Sequence, residues 1–422
     1  MSFEKVIGYG SIKKELVTVL DVIKNKKIYE DLGATIPKGI MLYGVPGVGK
    51  TLIANSFIEA SGMKSFLLRK TKGDGDFVKE IKETFEKAKE NVPSIVFLDD
   101  MDKFSSSDEK HLDAEEYVAV QSGIDNVKNE EVLVIATVND VKKLPKSLTR
   151  SGRFDKKLRI SKPDNRDSKQ IIAYYLKNKR VDKDINIDDI NRMITYNSCA
   201  TLESIINEAA IYAGAERKKE ITIEDIVNAV LKLKYGVTNE NHETDERILR
   251  EKAVHEAGHL VISEVLLADS VGLASINVYP GGQVGGFVHL CEHIDRRPYY
   301  ILGSLAGKAA VELRFGRPAS GCESDLLKTE ELLREDMEQS SIYGFDTFNP
   351  NGYGGSPDLL GRQEAVLSAE MTRYMYIAKD ILLKNEEFFD KITDELLEKK
   401  VLLYSDIQRI KKTCEIREVE VF

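Results

Sequence analysis

The sequence has few cysteines, no long apolar run and no excess of positive charge, and each absence excludes a class of protein. Its four cysteines, Cys199, Cys291, Cys322 and Cys414, form no CxxC pair. A chain of 422 residues can bury enough apolar surface to fold without disulfides. We therefore expect free thiols and a reducing compartment.

The apolar stretches are much shorter than the ~20 residues that cross a bilayer. The longest are Val132–Val138 and the interrupted run Leu260–Ala268. The N-terminal sequence MSFEKVIGYG also has no apolar segment of the kind found in signal peptides. If Met1 is the natural start, the sequence predicts a cytoplasmic protein without a membrane segment.

The charge balance argues against nucleic acid as a partner. Lys and Arg number 61 against 70 Asp and Glu, which gives a net charge of -9. Binding to a duplex needs a cationic face, and no stripe of basic residues interleaved with aromatics supplies one. With 42% hydrophobic and 31% charged residues, the composition is that of a globular protein. The length predicts two to four domains.

The first part of the chain alternates short apolar runs with amphipathic stretches, which predicts a parallel sheet covered by helices. The predicted strands are Gly39–Tyr43, Ser65–Leu68, Ile95–Leu98, Val132–Thr137 and Lys157–Ile160. Residues 163–236 show only helical spacing, and the polar segment 237–246 is the best linker candidate. Residues 247–422 are predicted to be mostly helical, with a two-stranded interruption at Leu273–Tyr279 and Gly286–Leu290.

The segment Gly44–Thr51, GVPGVGKT, fits the phosphate-binding pattern GxxxxGK[ST] in its expected context between a strand and a helix. Its glycines let the backbone N–H groups turn inward around phosphates, and the helix N-terminus adds its positive dipole end. We expect Lys50 to reach the outer phosphates and Thr51 to hold Mg²⁺. The sequence therefore predicts an ATP site.

Polar side chains follow the next strands. Asp99 and Asp100 come directly after Ile95–Leu98, and Asn139 follows Val132–Thr137. Beside a phosphate loop, Asp99 is predicted to support Mg²⁺ through water, Asp100 to polarise the attacking water, and Asn139 to face the γ-phosphate. Arg150 and Arg153 lie at a turn after the fourth strand, where we expect them to act as fingers in the site of a neighbouring subunit.

A second motif, His255-Glu256-Ala257-Gly258-His259, fits HExxH in a helical stretch. The spacing i, i+4 brings both imidazoles to one side of a helix, where they can share one Zn²⁺. Glu256 is then the predicted general base of a metallopeptidase.

Two histidines leave a zinc site incomplete, so a third ligand is needed. A histidine six residues after His259 would indicate the metzincin class, but Val265 is there and excludes it. Spacing alone does not choose among the downstream carboxylates, which are Asp269, Glu292, Asp295, Glu323 and Asp325.

A second pair with HxxxH spacing, His289 and His293, flanks Cys291. The segment Gly286–Leu290 has the pattern of a strand, in which residues i and i+4 lie ~13 Å apart. We therefore do not expect a metal site there.

These segments, in this order, resemble the AAA+ module and protease domain of FtsH-type proteins. The segments that carry the resemblance are GYGSIKKEL, IPKGIMLYGVPGVGKT, IVFLDDMD, VIATVND, LTRSGRFD, INEAAIYA and GRPASGCESDLLKTEELL. It implies an α/β AAA+ P-loop domain (1–162), an α-helical lid (163–236), a linker (237–246) and a mostly α-helical zinc metalloprotease domain (247–422). It also implies a ring of six subunits.

The resemblance also assigns residues. It implies Asp325 as the third zinc ligand and Gly286–Leu290 as an edge strand that pairs with substrate backbone. Ile7 and Gly8 are expected near the adenine, and Ala200 with Thr201 on the lid side of the nucleotide. The expected nucleotide-binding residues are Ile7, Gly8, Gly44, Pro46, Gly47, Val48, Gly49, Lys50, Thr51, Leu52, Asp99, Asn139 and Ala200.

Three departures from the family pattern affect the predicted function. Family members carry transmembrane helices before the ATPase domain, whereas this sequence begins at it. The pore-loop segment Lys70–Phe77 is short and carries glycines and acids, with Phe77 as the candidate aromatic. Asp100 stands where the family has a glutamate.

The predicted function is an ATP-dependent zinc metalloprotease that degrades proteins and uses Zn²⁺, ATP and Mg²⁺. One alternative is an ATP-gated scaffold in which hydrolysis is too slow to drive unfolding. Another is a peptidase restricted to unfolded chains.

Overall fold

The computed structural model divides the chain into two compact units. The first comprises Met1–Lys179 with Tyr196–Asn207, and the second comprises Arg180–Thr195 with Glu208–Phe422. The structure describes residues 3–70, 76–105, 114–150, 152–236, 245–277, 286–292, 296–317, 322–348, 356–419 and 421. The four-part division at residues 162, 236 and 246 remains a prediction.

The first unit is built on a five-stranded parallel sheet with the order β2-β3-β4-β1-β5. Its strands are β1 (Gly39–Tyr43), β2 (Lys64–Leu68), β3 (Ser94–Leu98), β4 (Val132–Val138) and β5 (Lys156–Arg159). The two central strands β3 and β4 are buried along their whole length, as strands covered on both faces must be. All five strands predicted from the apolar runs are present within one residue at each end.

Helices precede, separate and follow the strands of this unit, and some of them pack directly on the sheet. They are α1 (Gly10–Lys24), α2 (Lys26–Asp31), α3 (Lys50–Ser61), α4 (Phe77–Glu90), α5 (Glu115–Asn126) and α6 (Asn165–Leu176). In α4 the buried positions Phe77, Ile81, Phe85 and Ala88 recur at the spacing of one helix face. They pack with residues of β3 and β4 into one core cluster.

Helices between the sheet and the metallopeptidase motif are α7 (Ile187–Met193), α8 (Cys199–Ala215) and α9 (Ile223–Val230). A capping box of Thr222 and Asp225 begins α9, and a π-helical turn over Leu231–Tyr235 follows it.

The rest of the second unit is mostly helical. Its helices are α10 (Glu246–Leu266), α11 (Arg297–Phe315), α12 (Glu323–Glu338), α13 (Pro357–Lys384), α14 (Glu386–Lys399) and α15 (Tyr404–Lys411). Gly258 lets α10 and α11 approach closely, since a Cβ there would lie 2.5 Å from the Cβ of Ala310. The HExxH motif is therefore on a helix packed tightly inside the core.

The second unit also contains an antiparallel sheet of three strands, β6 (Val271–Ser275), β7 (Phe287–Leu290) and β8 (Val401–Leu403), in the order β7-β6-β8. The prediction of a two-stranded interruption was wrong by one strand. β8 is three residues long and pairs with residues about 130 positions earlier, so no local pattern indicates it.

Within the ranges given above, no helix combines the length and the apolar character needed to cross a membrane.

Candidate active sites

The phosphate loop connects β1 to α3. Gly47 and Gly49 have φ angles of 78° and 89°, which L side chains rarely adopt. Lys50 is buried, and its Nζ donates to the carbonyls of Gly44 and Val45 at 2.8 and 2.9 Å. Val48 packs inside while Leu52 is 47% exposed. The loop has the shape that the GxxxxGK[ST] pattern predicts.

Asp99 lies at the carboxyl end of β3 and is buried. Its Oδ1 accepts hydrogen bonds from the hydroxyls of Thr51 (2.9 Å) and Thr137 (2.7 Å). A carboxylate beside a threonine hydroxyl is a donor set that fits Mg²⁺, which prefers oxygen ligands and retains several waters. Thr137 was not among the predicted site residues.

Asp100 is held by three side chains in a left-handed backbone conformation, with φ 53°. Its Oδ2 accepts from Lys103 Nζ at 2.7 Å and lies 3.7 Å from Arg69 Nη2, and its Oδ1 accepts from Asn139 Nδ2 at 3.1 Å. Burial raises the pKa of Asp100, but the Lys103, Asn139 and Arg69 contacts outweigh burial and lower it.

Asn139 connects the phosphate loop to the acidic end of β3. Its Oδ1 accepts from Lys50 Nζ at 2.8 Å, and its backbone N–H donates to Asp102 Oδ1 at 2.9 Å. Asp102 is therefore occupied in holding the Asn139 backbone. Lys50, Asp99, Asp100 and Asn139 lie together as the sequence predicts.

The N-terminal segment and the start of α8 also converge on this site. The backbone N–H of Ala200 donates to the carbonyl of Gly47 at 3.0 Å. The backbone N–H of Tyr9 donates to Asp167 Oδ2 at 2.9 Å, and a Cβ at Gly8 would lie 2.8 Å from the same carboxyl group. Asp167 thus anchors the predicted adenine segment, a role that no motif indicated.

The two candidate arginine fingers have different surroundings. Arg153 is bound within its own chain, where Nη2 contacts Asp125 Oδ2 at 2.7 Å and Nη1 donates to the carbonyl of Ser147 at 2.6 Å. Arg150 is exposed. Only Arg150 is presented to solvent in this structure.

The candidate pore-loop aromatic is not presented to a substrate. Phe77 is 4% exposed and packs edge-on against Phe104, with ring centroids 4.9 Å apart. It begins α4 and faces the core, which argues against Phe77 as the substitute for the pore-loop aromatic. Residues 71–75 of the segment lie outside the described residues.

In the second unit, α10 and the start of α12 bring three metal-binding groups together. His255 Nε2 lies 3.1 Å from His259 Nε2 and 3.2 Å from Asp325 Oδ2, and His259 Nε2 lies 3.4 Å from the same oxygen. Three tetrahedral Zn²⁺ ligands at about 2.0–2.1 Å from the ion lie roughly 3.3 Å from one another. The donor set and its spacing therefore fit Zn²⁺.

Neighbouring groups fix the orientation of both imidazoles. His259 Nδ1 is hydrogen-bonded to the carbonyl of Gly303 at 2.7 Å, which leaves Nε2 for the metal. Gly307 of α11 lies directly against the His255 ring, where any Cβ would collide with it. The thiol of Cys322, next to α12, hydrogen-bonds His255.

The electrostatics of the three ligands favour positive charge at the site. Burial lowers the pKa of His255, but its bonds to Asp325 and Cys322 outweigh burial and raise it to about 10. Burial raises the pKa of Asp325, and the two imidazoles reverse this and hold it well below its usual range. A metal ion binds imidazole in its neutral form, so metal binding would displace any proton held on the two imidazoles.

Glu256 lies beside the three ligands and is buried. Burial raises the pKa of this carboxyl group, with the two histidines opposing the shift. Gly286, next to β7, packs on it so closely that a Cβ there would lie 2.7 Å from Glu256 Cγ. The predicted general base therefore faces the start of the predicted substrate strand.

Comparison with known proteins agrees with the predicted class of both parts of the chain. The sequence model of the ATPase family associated with various cellular activities (AAA) matches residues 40–162. The ATP-dependent zinc metalloprotease FtsH 3 of Symbiobacterium thermophilum is 28% identical over 97% of this chain and 70% of its own length. The ATP-dependent zinc metalloprotease FtsH of Caldicellulosiruptor bescii is 28% identical over 97% of this chain and 72% of its own length.

The chain is FtsH-like. FtsH of Bacillus subtilis is 30% identical over 79% of this chain and 55% of its own length. These similarities confirm the predicted fold class, an AAA+ P-loop domain with a helical lid followed by a mostly helical metalloprotease domain.

Among the described residues of the FtsH-like chain, the other candidate carboxylates lie outside the cluster of His255, His259 and Asp325. Asp269 instead binds the hydroxyl of Tyr404 at 3.3 Å. Glu292 and Glu323 are not in the cluster, and Asp295 lies outside the described residues.

In the second HxxxH pair, His289 has another partner. His289 Nε2 lies 3.2 Å from Lys234 Nζ, and burial together with this lysine lowers the pKa of His289 to about 3. Cys291 is buried and bound to Arg192, and His293 lies outside the described residues.

Proposed function

We propose that this FtsH-like chain is an ATP-dependent zinc metalloprotease that degrades protein substrates. The convergence of His255, His259 and Asp325 beside the buried Glu256 supports the protease assignment most directly. The phosphate loop with Asp99 and Asn139 supports the ATPase assignment, with Mg²⁺ beside Thr51 and Asp99.

In the peptidase site, each residue has a distinct task. His255, His259 and Asp325 hold the ion, which would supply Lewis acidity for attack on the peptide carbonyl. Glu256 takes the proton from the attacking water and passes it to the leaving amine. Burial raises the pKa of Glu256, which favours its protonated form after it has taken the proton.

The substrate is expected to bind as an added strand. β7 pairs with β6 on one side, and among the described residues no strand covers its other side. Its backbone N–H and C=O groups can therefore pair with an extended peptide of varied sequence. Gly286 then places that peptide next to Glu256.

We further propose a ring of six subunits in which Arg150 completes the ATP site of the neighbour. Arg150→Ala should lower the ATPase kcat about tenfold to a hundredfold, since a hydrogen bond to a charged group contributes about 1.5–3 kcal/mol. Arg153→Ala should mainly lower the stability of the fold, because it removes the ion pair with Asp125. Analytical ultracentrifugation with ATP and Mg²⁺ measures assembly alongside the ATPase assay. Monomers at all concentrations, or unchanged kcat in Arg150→Ala, would contradict the proposal.

The length of Asp100 favours slow ATP turnover and supports the second candidate, a peptidase restricted to unfolded chains. Aspartate is one methylene shorter than the family glutamate, which withdraws the carboxylate by ~1 Å. Such a displacement can cost about a hundredfold in rate. The opposing possibility is compensation by Asp102, one of whose oxygens already accepts from the Asn139 backbone N–H.

Asp100→Glu is therefore expected to raise the ATPase kcat with little change in KM, since Lys50 and the loop amides bind the phosphates independently. Steady-state ATP hydrolysis by both proteins measures this. If kcat of Asp100→Glu is unchanged or lower, the short side chain does not limit turnover.

The function is tested by degradation of casein with and without ATP, followed by a folded, tagged substrate. ATP-stimulated degradation of both supports the ATP-driven protease. Degradation of casein alone supports the restricted peptidase, and ATP binding without any proteolysis supports the ATP-gated scaffold.

A further inference from the structure

We propose that Lys103 restrains ATP hydrolysis by holding Asp100 in an ion pair. The inference rests on the proposed ATPase function and adds a positioning residue to it. The Lys103 ammonium lies 2.7 Å from Asp100 Oδ2, the shortest contact that this carboxylate makes.

The pair is built into the turn that follows β3. Met101–Lys103 forms one 3₁₀ turn, and the Lys103 backbone N–H donates to the carbonyl of Asp100 at 2.8 Å. This hydrogen bond closes the turn from Asp100 to Lys103, and across it the two side chains meet at 2.7 Å. The backbone N–H of Asp100 donates to Thr137 Oγ1 at 2.8 Å, so the other end of the turn is fixed too.

The ion pair opposes the task of Asp100 in two ways. It draws the carboxylate towards the turn, and it compensates the negative charge that must polarise the attacking water. Asn139 Nδ2 donates a hydrogen bond to the other carboxylate oxygen, Asp100 Oδ1. Arg69 adds a second positive charge, with its Nη2 3.7 Å from Asp100 Oδ2. Attack by water requires Asp100 to loosen its contact with Lys103.

The exposure of Lys103 limits the size of the effect. Its side chain is 64% exposed, so solvent screens the pair. We expect Lys103→Met to raise the ATPase kcat about threefold to fivefold, the upper value corresponding to about 1 kcal/mol at 1.36 kcal/mol per tenfold. KM for ATP should change less than about twofold, because the side-chain partner of Lys103 is Asp100 and its charge acts on Lys50 of the phosphate loop only at longer range.

The experiment compares Lys103→Met, Lys103→Gln and Lys103→Arg with the unaltered chain. Arginine preserves the pair and should keep kcat near its original value. Lys142→Met is the matched control, because Lys142 lies in the corresponding 3₁₀ turn after β4 and does not bind Asp100. In an Asp100→Asn background, Lys103→Met should have no effect on kcat.

Equilibrium binding of a fluorescent, non-hydrolysable ATP analogue with Mg²⁺ provides a readout that does not depend on turnover. Unchanged affinity with raised kcat in both Lys103→Met and Lys103→Gln supports the restraint. A kcat that stays the same or falls, in a chain that binds the analogue and hydrolyses ATP, overturns the restraint and leaves the proposed function standing. If the unaltered chain neither binds the analogue nor hydrolyses ATP, both proposals fail.

Discussion

Replacing Glu256 with Gln is expected to lower peptide hydrolysis by about 10²- to 10⁴-fold, the range contributed by a positioned general base. Glutamine keeps the volume of the buried side chain and its contact with Gly286. It cannot accept a proton at neutral pH. His255, His259 and Asp325 are untouched, so zinc content should stay near that of the unaltered chain.

The measurement is casein cleavage at saturating ATP, together with zinc analysis and ATP hydrolysis of the same preparations. Glu246→Gln is the matched control, because it makes the same chemical change at an exposed position of α10. If Glu256→Gln cleaves casein at the normal rate, Glu256 is not the general base.

Replacing Asp325 with Ala is expected to remove zinc as well as activity. Asp325 Oδ2 lies 3.2 and 3.4 Å from the two imidazole nitrogens, so its loss leaves only two ligands. Loss of an outer-shell partner alone costs about 10- to 100-fold in metal affinity, and loss of a ligand should cost more. Casein cleavage should fall with zinc occupancy, while ATP hydrolysis continues.

Zinc affinity is measured by competition with a chromogenic chelator. Glu323→Ala serves as the control, since Glu323 is an acidic residue of the same first turn of α12 and is exposed. Normal zinc affinity in Asp325→Ala would show that another carboxylate is the third zinc ligand. Reduced affinity in Glu323→Ala alone would point to Glu323.

The parts of the fold that local patterns specify could be predicted from the sequence. The five apolar strands, the phosphate loop and the helix carrying HExxH each depend on neighbouring residues. The third zinc ligand could not be predicted in this way. Asp325 lies far from His259 along the chain, and spacing does not distinguish it from four other downstream carboxylates. Only the resemblance to FtsH-type proteins selected it.

The contacts that no motif predicts join residues far apart in sequence. Asp167 binds Tyr9 across 158 positions, and Arg153 binds Asp125 across 28.

Phe77 follows a glycine-rich segment and yet faces the core, because the spacing of α4 includes it in the buried face. The Lys103 pair is local, and its i, i+3 spacing after an acidic strand end is a signal that sequence reasoning could have used.

The most direct test of an ATP-dependent zinc metalloprotease is casein degradation by one preparation before and after removal of its zinc. We expect degradation that ATP stimulates, that stops when a chelator selective for zinc over magnesium removes the zinc in the presence of excess Mg²⁺, and that returns on addition of one equivalent of Zn²⁺. ATP hydrolysis should persist throughout, because the phosphate loop and Asp99 lie in the other unit of the chain. Degradation that survives removal of the zinc, or none at all from the zinc-loaded protein with ATP, would contradict the assignment.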